Sequence, residues 1–265
     1  MMKSGKRKWS AVGNCVQGNS HIKNDIPCQD ALRIERLGRF QIVCLSDGHG
    51  SSSCPYSAEG AQAAVDTAFE VFASILEDEG DSFHTISSNK DIWLPKQIEK
   101  HWKHKIQKLH QETREEEPFK YELYGATLLS LIAADDFVFA LQLGDGDILS
   151  IQPQPDDLLI EWFIPPDGGL GPETNSLCQD DCWQYMTAQI TSIEAKAPSF
   201  LMSTDGYANS FADDKGFKKA GADFYELWKD RGLPYIEENL AGWLMESSAQ
   251  GSGDDITLAL VVDEF

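Results

Sequence analysis

The chain of 265 residues is 42% hydrophobic, which suits a single domain with a sizeable core. Acidic residues number 43 against 22 basic, and the net charge of −21 argues against nonspecific binding to nucleic acid or anionic membranes. No run approaches the ~20 apolar residues of a membrane span, the basic start lacks the apolar core of a secretory signal, and six cysteines are too sparse for a disulfide framework, so a cytoplasmic chain with reduced thiols is expected.

Residues 1–8 read as a basic tail and 9–265 as one domain. Residues 9–18 partly alternate apolar and polar and end on Gly18, the pattern of a first strand. A polar stretch holding His21 and Lys23 leads to Asp30, where a second strand pattern opens. Residues 40–45 read as a buried strand that stops at Ser46-Asp47-Gly48-His49-Gly50. A hairpin between the two would bring Asp30 near Asp47. Asp47 is then placed to hold a cation, the glycines let backbone carbonyls approach as further hard ligands, and His49 could serve as a general acid. A tight turn without function explains the same five residues equally well.

Apolar residues at three- and four-residue spacing predict a long amphipathic helix over 58–76. After a break at 89–95, Ile98, Trp102, Ile106 and Leu109 mark a second helix. His101, His104 and His110 are expected on its exposed surface, since no carboxylate or cysteine array accompanies them. Residues 128–134 and 137–143 form a hairpin around Asp135-Asp136, and its second strand runs into Gly144-Asp145-Gly146-Asp147 and a strand at 148–151. Residues 153–181, rich in Pro, Gly, Asp and Asn with one short apolar stretch at 158–164, read as largely loop, a candidate substrate flap. Cys178 and Cys182 lack the second Cys/His pair that a zinc site needs. Residues 199–203 form a further strand ending in Asp205-Gly206, helices follow around 217–228 and 235–245, and Gly253-Asp254-Asp255 precedes a closing strand at 256–262.

Asp-Gly or Gly-Asp thus recurs beside strand patterns at Asp47, Asp145, Asp205 and Asp254, with Asp30 a fifth acidic strand end. Carboxylates packed together repel unless cations join them, and an all-oxygen donor set suits Mn2+ or Mg2+. Taken in order, Cys28-Gln29-Asp30, Ser46-Asp47-Gly48-His49-Gly50, Gly125-Ala126-Thr127, Gly144-Asp145-Gly146-Asp147, Ser203-Thr204-Asp205-Gly206 and Gly253-Asp254-Asp255-Ile256-Thr257 resemble a known motif set. It is that of the PP2C-like (PPM) metal-dependent protein phosphatases of the bacterial, single-domain type, and the resemblance covers nearly the whole chain. The resemblance implies an α+β fold, a four-layer α-β-β-α sandwich of two antiparallel sheets flanked by helices. It implies hydrolysis of phosphoserine and phosphothreonine in proteins by water activated at a binuclear Mn2+ or Mg2+ centre. By motif, Asp47 would bridge the two ions, the Gly48 carbonyl would bind one, and Asp205 and Asp254 would bind the other. Asp145 matches a position for an additional, weaker ion. Asp30 would hold water on the ions or bind directly, and His49 would protonate the leaving alkoxide.

The chain departs from the family pattern in three places. Gln29 stands where an acid is usual, which removes a negative charge from the outer metal shell and predicts weaker metal binding. Asp255 replaces a common asparagine, a mild change, and no arginine lies between Arg7 and Arg33 to grip the substrate phosphate. His21 or Lys23 would take that role; of the two side chains, lysine is charged at neutral pH and histidine only in part. Two other readings compete: a catalytically weak or dead binding module of the same fold, and a phosphoesterase acting on small phosphorylated molecules. Retention of Asp47, His49, Asp205 and Asp254 disfavours the first. The expected partner is a phosphorylated protein, met by a monomer, with neither nucleic acid nor membrane involved.

Overall fold

Strands buried on both faces read as unbroken apolar runs, and the middle of this molecule is made of them. The computed structural model describes residues 7–76, 80–155, 157–166, 174–193 and 196–264; the first six residues of the basic tail and residues 167–173 of the candidate flap fall outside that description. Among the described residues, one antiparallel sheet runs in the order β1 (Trp9–Val16), β10 (Ile256–Asp263), β9 (Ser199–Ser203), β6 (Asp147–Pro153), β7 (Leu158–Trp162). The other runs β2 (Ala31–Leu37), β3 (Phe40–Ser46), β4 (Leu128–Ala133), β5 (Phe137–Leu143), β8 (Thr187–Ser192).

The alternation of side chains assigns each strand residue to one of two layers. In β3, Phe40, Ile42 and Cys44 join the core beneath a helical layer, whereas Val43 and Leu45 fill the space between the sheets. In β10, Ala259 and Val261 fill the same central layer, and Leu258, Leu260 and Val262 face the opposite helices. The first helical layer is α2 (Ser57–Leu76), α3 (Ser82–Asn89) and α4 (Trp93–Thr113). The second is α5 (Asp205–Ala208), α6 (Asp214–Arg231) and α7 (Leu233–Gln250), while α1 (Asn19–Lys23) is a single turn beside α7. The result is the four-layer α-β-β-α sandwich expected. Trp9 ties the two sheets together: its ring lies 6.3 Å from that of Phe200, and its Nε1 donates to the Ala134 carbonyl at 2.7 Å.

Four local expectations need correction. The break at 89–95 shrinks to three residues, because α4 starts at Trp93 and places Pro95 in its first turn, where a missing N–H costs no helical hydrogen bond. His110 is buried, with Nδ1 2.9 Å from the Tyr124 hydroxyl and Nε2 3.1 Å from the Glu117 carbonyl, while His101 and His104 are exposed as expected. Helix α3 and the edge strand β8 carry no clear apolar periodicity, so the sequence pattern passes over both. Within 153–181, expected to be largely loop, the apolar stretch supplies strand β7 at 158–162, paired along β6. No helix among the described residues is long and apolar enough to cross a membrane.

Two helical glycines make opposite demands. A Cβ on Gly60 of α2 would lie 1.9 Å from the Tyr124 carbonyl oxygen, whereas one on Gly242 of α7 would meet nothing within 4 Å. Gly242→Ala should therefore stabilise the protein by roughly 0.5–1 kcal/mol through helix propensity. Gly60→Ala should destabilise it by about 1–3 kcal/mol through overpacking, despite the same propensity gain. Urea denaturation of both variants measures the pair, and a stabilised Gly60→Ala would contradict the close approach of α2 to residue 124.

Candidate metal centre

The acidic strand ends meet at one end of the sandwich. Antiparallel pairing of Ala31 with Ser46 and of Leu37 with Phe40 puts Asp30 and Asp47 side by side where β2 begins and β3 ends. The segment after β3 is then held from both sides. Ser46 Oγ donates to the Thr127 carbonyl at 2.6 Å, the Thr127 N–H donates to the Asp47 carbonyl at 2.8 Å, and the Asp47 N–H donates to Thr127 Oγ1 at 3.0 Å. The Gly48 N–H donates to the Gln29 carbonyl at 3.2 Å, and a Cβ there would lie 2.6 Å from that oxygen and 2.7 Å from the Ser57 carbonyl, so only glycine fits. The His49 N–H donates to the Gly125 carbonyl at 3.0 Å, and a Cβ on Gly125 would strike the His49 ring at 2.5 Å. The Gly125-Ala126-Thr127 motif is thus the buttress that fixes Asp47 and His49.

Asp145 sits in the turn from β5 to β6, shaped by Gly144 at φ +98° and by Gln142 Nε2 donating to the Gly146 carbonyl at 2.7 Å. Thr174 Oγ1 donates to Asp145 Oδ2 at 2.6 Å. Asp205 is the first residue of α5, and Asn209 Nδ2 donates to its Oδ2 at 3.0 Å. Asp47, Asp145 and Asp205 each offer a carboxylate oxygen, and these oxygens lie within 4.8 Å of one another. It is the one such His/Cys/Asp/Glu group among the described residues, so Cys178 and Cys182 join no cluster of their own.

The other acids stand around this trio. Asp30 Oδ2 accepts from Thr204 Oγ1 at 2.8 Å and from Thr257 Oγ1 at 2.7 Å. Asp254 is exposed and outside the trio; one of its oxygens accepts the Asp255 N–H at 2.9 Å and lies 3.5 Å from His21 Nε2. Asp255, 4% exposed, accepts the Gly18 N–H at 2.6 Å on one oxygen and the Gln29 N–H at 2.7 Å on the other. His21 Nδ1 lies 3.0 Å from Asp255 Oδ1 but out of line for a hydrogen bond, and the Lys23 side chain is exposed on α1. Residues 174–177 close one side of the site: Ser176 Oγ accepts the Ala126 N–H at 2.9 Å, and the Leu177 N–H donates to the Ala126 carbonyl at 2.9 Å. Sequence reasoning misses the roles of Thr204, Thr257 and Thr174 in holding carboxylates, although the first two place a hydroxyl at the end of an apolar strand. Asp255 is no mild change but a buried acceptor for two distant N–H groups.

Electrostatics follow from this crowding. Burial first, then the charges of Asp30, Asp205, Asp254 and Asp145, raises the Asp47 carboxyl well above the usual range. Burial also lifts Asp30, against the hydroxyls of Thr257 and Thr204 that favour its charged form. Asp205 is pushed up to about 6 by burial and then by Asp145 and Asp254. Burial lowers the His49 imidazole below its ordinary value, with Asp145 opposing. Crowded carboxylates that resist ionisation, in an all-oxygen donor set, fit a small hard divalent cation.

A carboxyl whose pKa folding raises favours the folded state while protonated, so the metal-free protein loses that stability as pH climbs from about 4 through 6. Asp205→Asn carries no such charge. In EDTA the variant and the wild type should melt together near pH 4, and the variant should melt roughly 3–8 °C higher at neutral pH. Identical melting temperatures across this range would show that neither burial nor the neighbouring carboxylates raise the Asp205 pKa.

The profile of the protein phosphatase 2C family matches residues 17–245. Serine/threonine-protein phosphatase 3 of Escherichia coli (strain K12) is 27% identical over 146 residues, so the match spans about half of each protein, 53% of this chain and 53% of the relative. Solved structures extend the likeness along the chain. The S. agalactiae serine/threonine phosphatase superimposes with a TM-score of 0.61 at 16% identity, over 97% of this chain and 100% of its own. The catalytic domain of the serine threonine protein phosphatase PstP, in complex with two manganese ions, gives 0.57 at 14% identity, over 97% and 98%. At such identities these structures speak to the fold, and it is the one built above from strand register. With most of its length matched by the family profile, this chain belongs to the protein phosphatase 2C family.

Proposed function

We propose that this chain is a protein serine/threonine phosphatase that hydrolyses phosphoserine and phosphothreonine monoesters with Mn2+ or Mg2+ held at the acidic cluster. The observation that carries this reading is the mutual 4.8 Å approach of Asp47, Asp145 and Asp205 beside His49. Asp47, the Gly48 carbonyl, Asp205 and Asp254 would hold two cations, Asp145 an additional one, and Asp30 would order water behind them. The two manganese ions of the PstP complex support that number. Bound there, the cations supply Lewis acidity, which acidifies water and neutralises phosphate charge.

The protein's own groups do the rest. A serine or threonine alkoxide is a poor leaving group, and a placed acid contributes roughly 10²–10⁴-fold to its departure. His49, fixed by Gly125 through its backbone and against its ring, is the acid. Lys23, with an exposed side chain on α1, and His21, which lies against Asp254 and Asp255, are the two candidate phosphate contacts. The reading extends to a monomer in the cytoplasm whose partner is a phosphorylated protein.

The deciding measurement is phosphate release from a phosphothreonine peptide in EDTA, Mg2+ or Mn2+, beside Asp47→Ala. Activity should require the cation and fall at least ~10²-fold in the variant; metal-independent turnover would sink the assignment. His49 gives a second test. Its protonated form disappears as pH rises through its lowered pKa, so the ratio of phosphopeptide to p-nitrophenyl phosphate turnover should fall with rising pH, and the fall should lie on the acid side of histidine's ordinary titration range. In His49→Gln that ratio should be low and flat, since nitrophenolate leaves without a proton. An unchanged ratio in the variant removes His49 from the acid role.

A further inference from the structure

Cys15 of β1 and Cys28 of the segment before β2 are 13 residues apart in sequence, and their sulfurs lie 3.5 Å apart as free, partly exposed thiols. A disulfide needs about 2.05 Å between sulfurs, so closure requires an approach of only ~1.5 Å. No disulfide framework accompanies the pair, and neither sulfur is needed as a core filler in the way that the fully buried Cys44 is.

The surroundings make this position consequential. Cys15 pairs directly with Thr257 across β1 and β10, and Thr257 Oγ1 donates to Asp30 at 2.7 Å. Cys28 stands two residues before Asp30. Between them Gln29 donates its N–H to Asp255 at 2.7 Å and accepts the Gly48 N–H at 3.2 Å. The segment 28–30 is therefore keyed to Asp255, to Gly48 beside Asp47, and to the two threonines that hold Asp30. A covalent bond at residue 28 pulls on all three.

We propose that Cys15 and Cys28 are a reversible redox modification site, which a peroxide converts to a disulfide that distorts the carboxylate cluster and weakens metal binding. One thiolate attacks the O–O bond of the peroxide, gaining a hydroxyl as a sulfenic acid and releasing hydroxide. The second sulfur then attacks the first, the S–O bond breaks, and the oxygen leaves as water with the second thiol's proton. Two thiols are oxidised, one peroxide is reduced to two waters, and a dithiol reductant reverses the change. The formation of the bond stands on geometry alone; its effect on turnover rests on the phosphatase reading.

The test treats the full chain with hydrogen peroxide, blocks free thiols by alkylation, and maps peptides without reduction. A Cys15–Cys28 linked peptide should form, disappear with dithiothreitol, and be absent from Cys15→Ser and Cys28→Ser. The rise in Tm caused by Mn2+ should shrink by at least half in the oxidised wild type, recover on reduction, and not respond to peroxide in Cys15→Ala or Cys15→Ser. Phosphopeptide turnover should fall several-fold in parallel. Cys15 and Cys28 still open to alkylation while other thiols oxidise, or sulfinic acid without a linked peptide, would overturn the site. A linked peptide with an unchanged Mn2+ shift would overturn its coupling to the cluster. Neither the linked peptide nor the Tm shift depends on turnover, so both tests keep their meaning in a chain that proves not to be a phosphatase.

Discussion

Like charges held against their mutual repulsion are the constraint on which the rest of the molecule depends. Asp47, Asp145 and Asp205 come from three different strand ends, and side chains on independent loops would simply move apart. Here they cannot, because each is fixed by something buried: Asp47 by paired bonds to Thr127, Asp145 by a glycine turn clasped by Gln142, Asp205 by the first turn of α5. The sandwich core supplies the rigidity, and the raised pKa values of Asp47 and Asp205 reflect burial first and then the neighbouring carboxylates. Oxygens preorganised in this way would need little rearrangement to meet a cation.

Around the cluster lies a second layer of restraint built from hydrogen bonds that hydroxyl and N–H groups donate. Thr204 and Thr257 share Asp30, and the Thr257 N–H in turn donates to Thr204 Oγ1 at 2.9 Å, so β9, β10 and β2 are coupled at one point. Asp255 spreads its two oxygens between the backbones at residues 18 and 29. Gln29, where the family favours an acid, uses its amide on Ser57 at 2.8 Å and its backbone on the two neighbours, so its present work is to brace.

The skeleton is readable from sequence where local pattern and environment agree. The buried runs before Asp47 and Asp205 show strand ends because both faces of those strands are covered, and the 58–76 spacing shows α2 because one face meets a sheet. Other features depend on partners far along the chain. Edge strand β8, Thr187–Ser192, carries one large apolar residue, and only its register with β5 defines it. His110 carries a surface signal because its burial comes from Tyr124 and Phe119, which lie beyond the helix that holds it. The Asp255 acceptor role is invisible in sequence since the N–H groups it receives lie 226 and 237 residues away. Acidic residue types announce chemistry; the threonines and backbone groups that aim them do not.

The pairing of β1 with β10 runs from Trp9 opposite Asp263 to Val16 opposite Ile256, joining the two extremes of the fold. Contacts of such sequence separation form late, since a long loop must close before they reward it. A chain still emerging from the ribosome has β1 without a neighbour and Asp30 without Thr257. The full set of restraints around the cluster is consequently complete only once β10 has docked between β1 and β9.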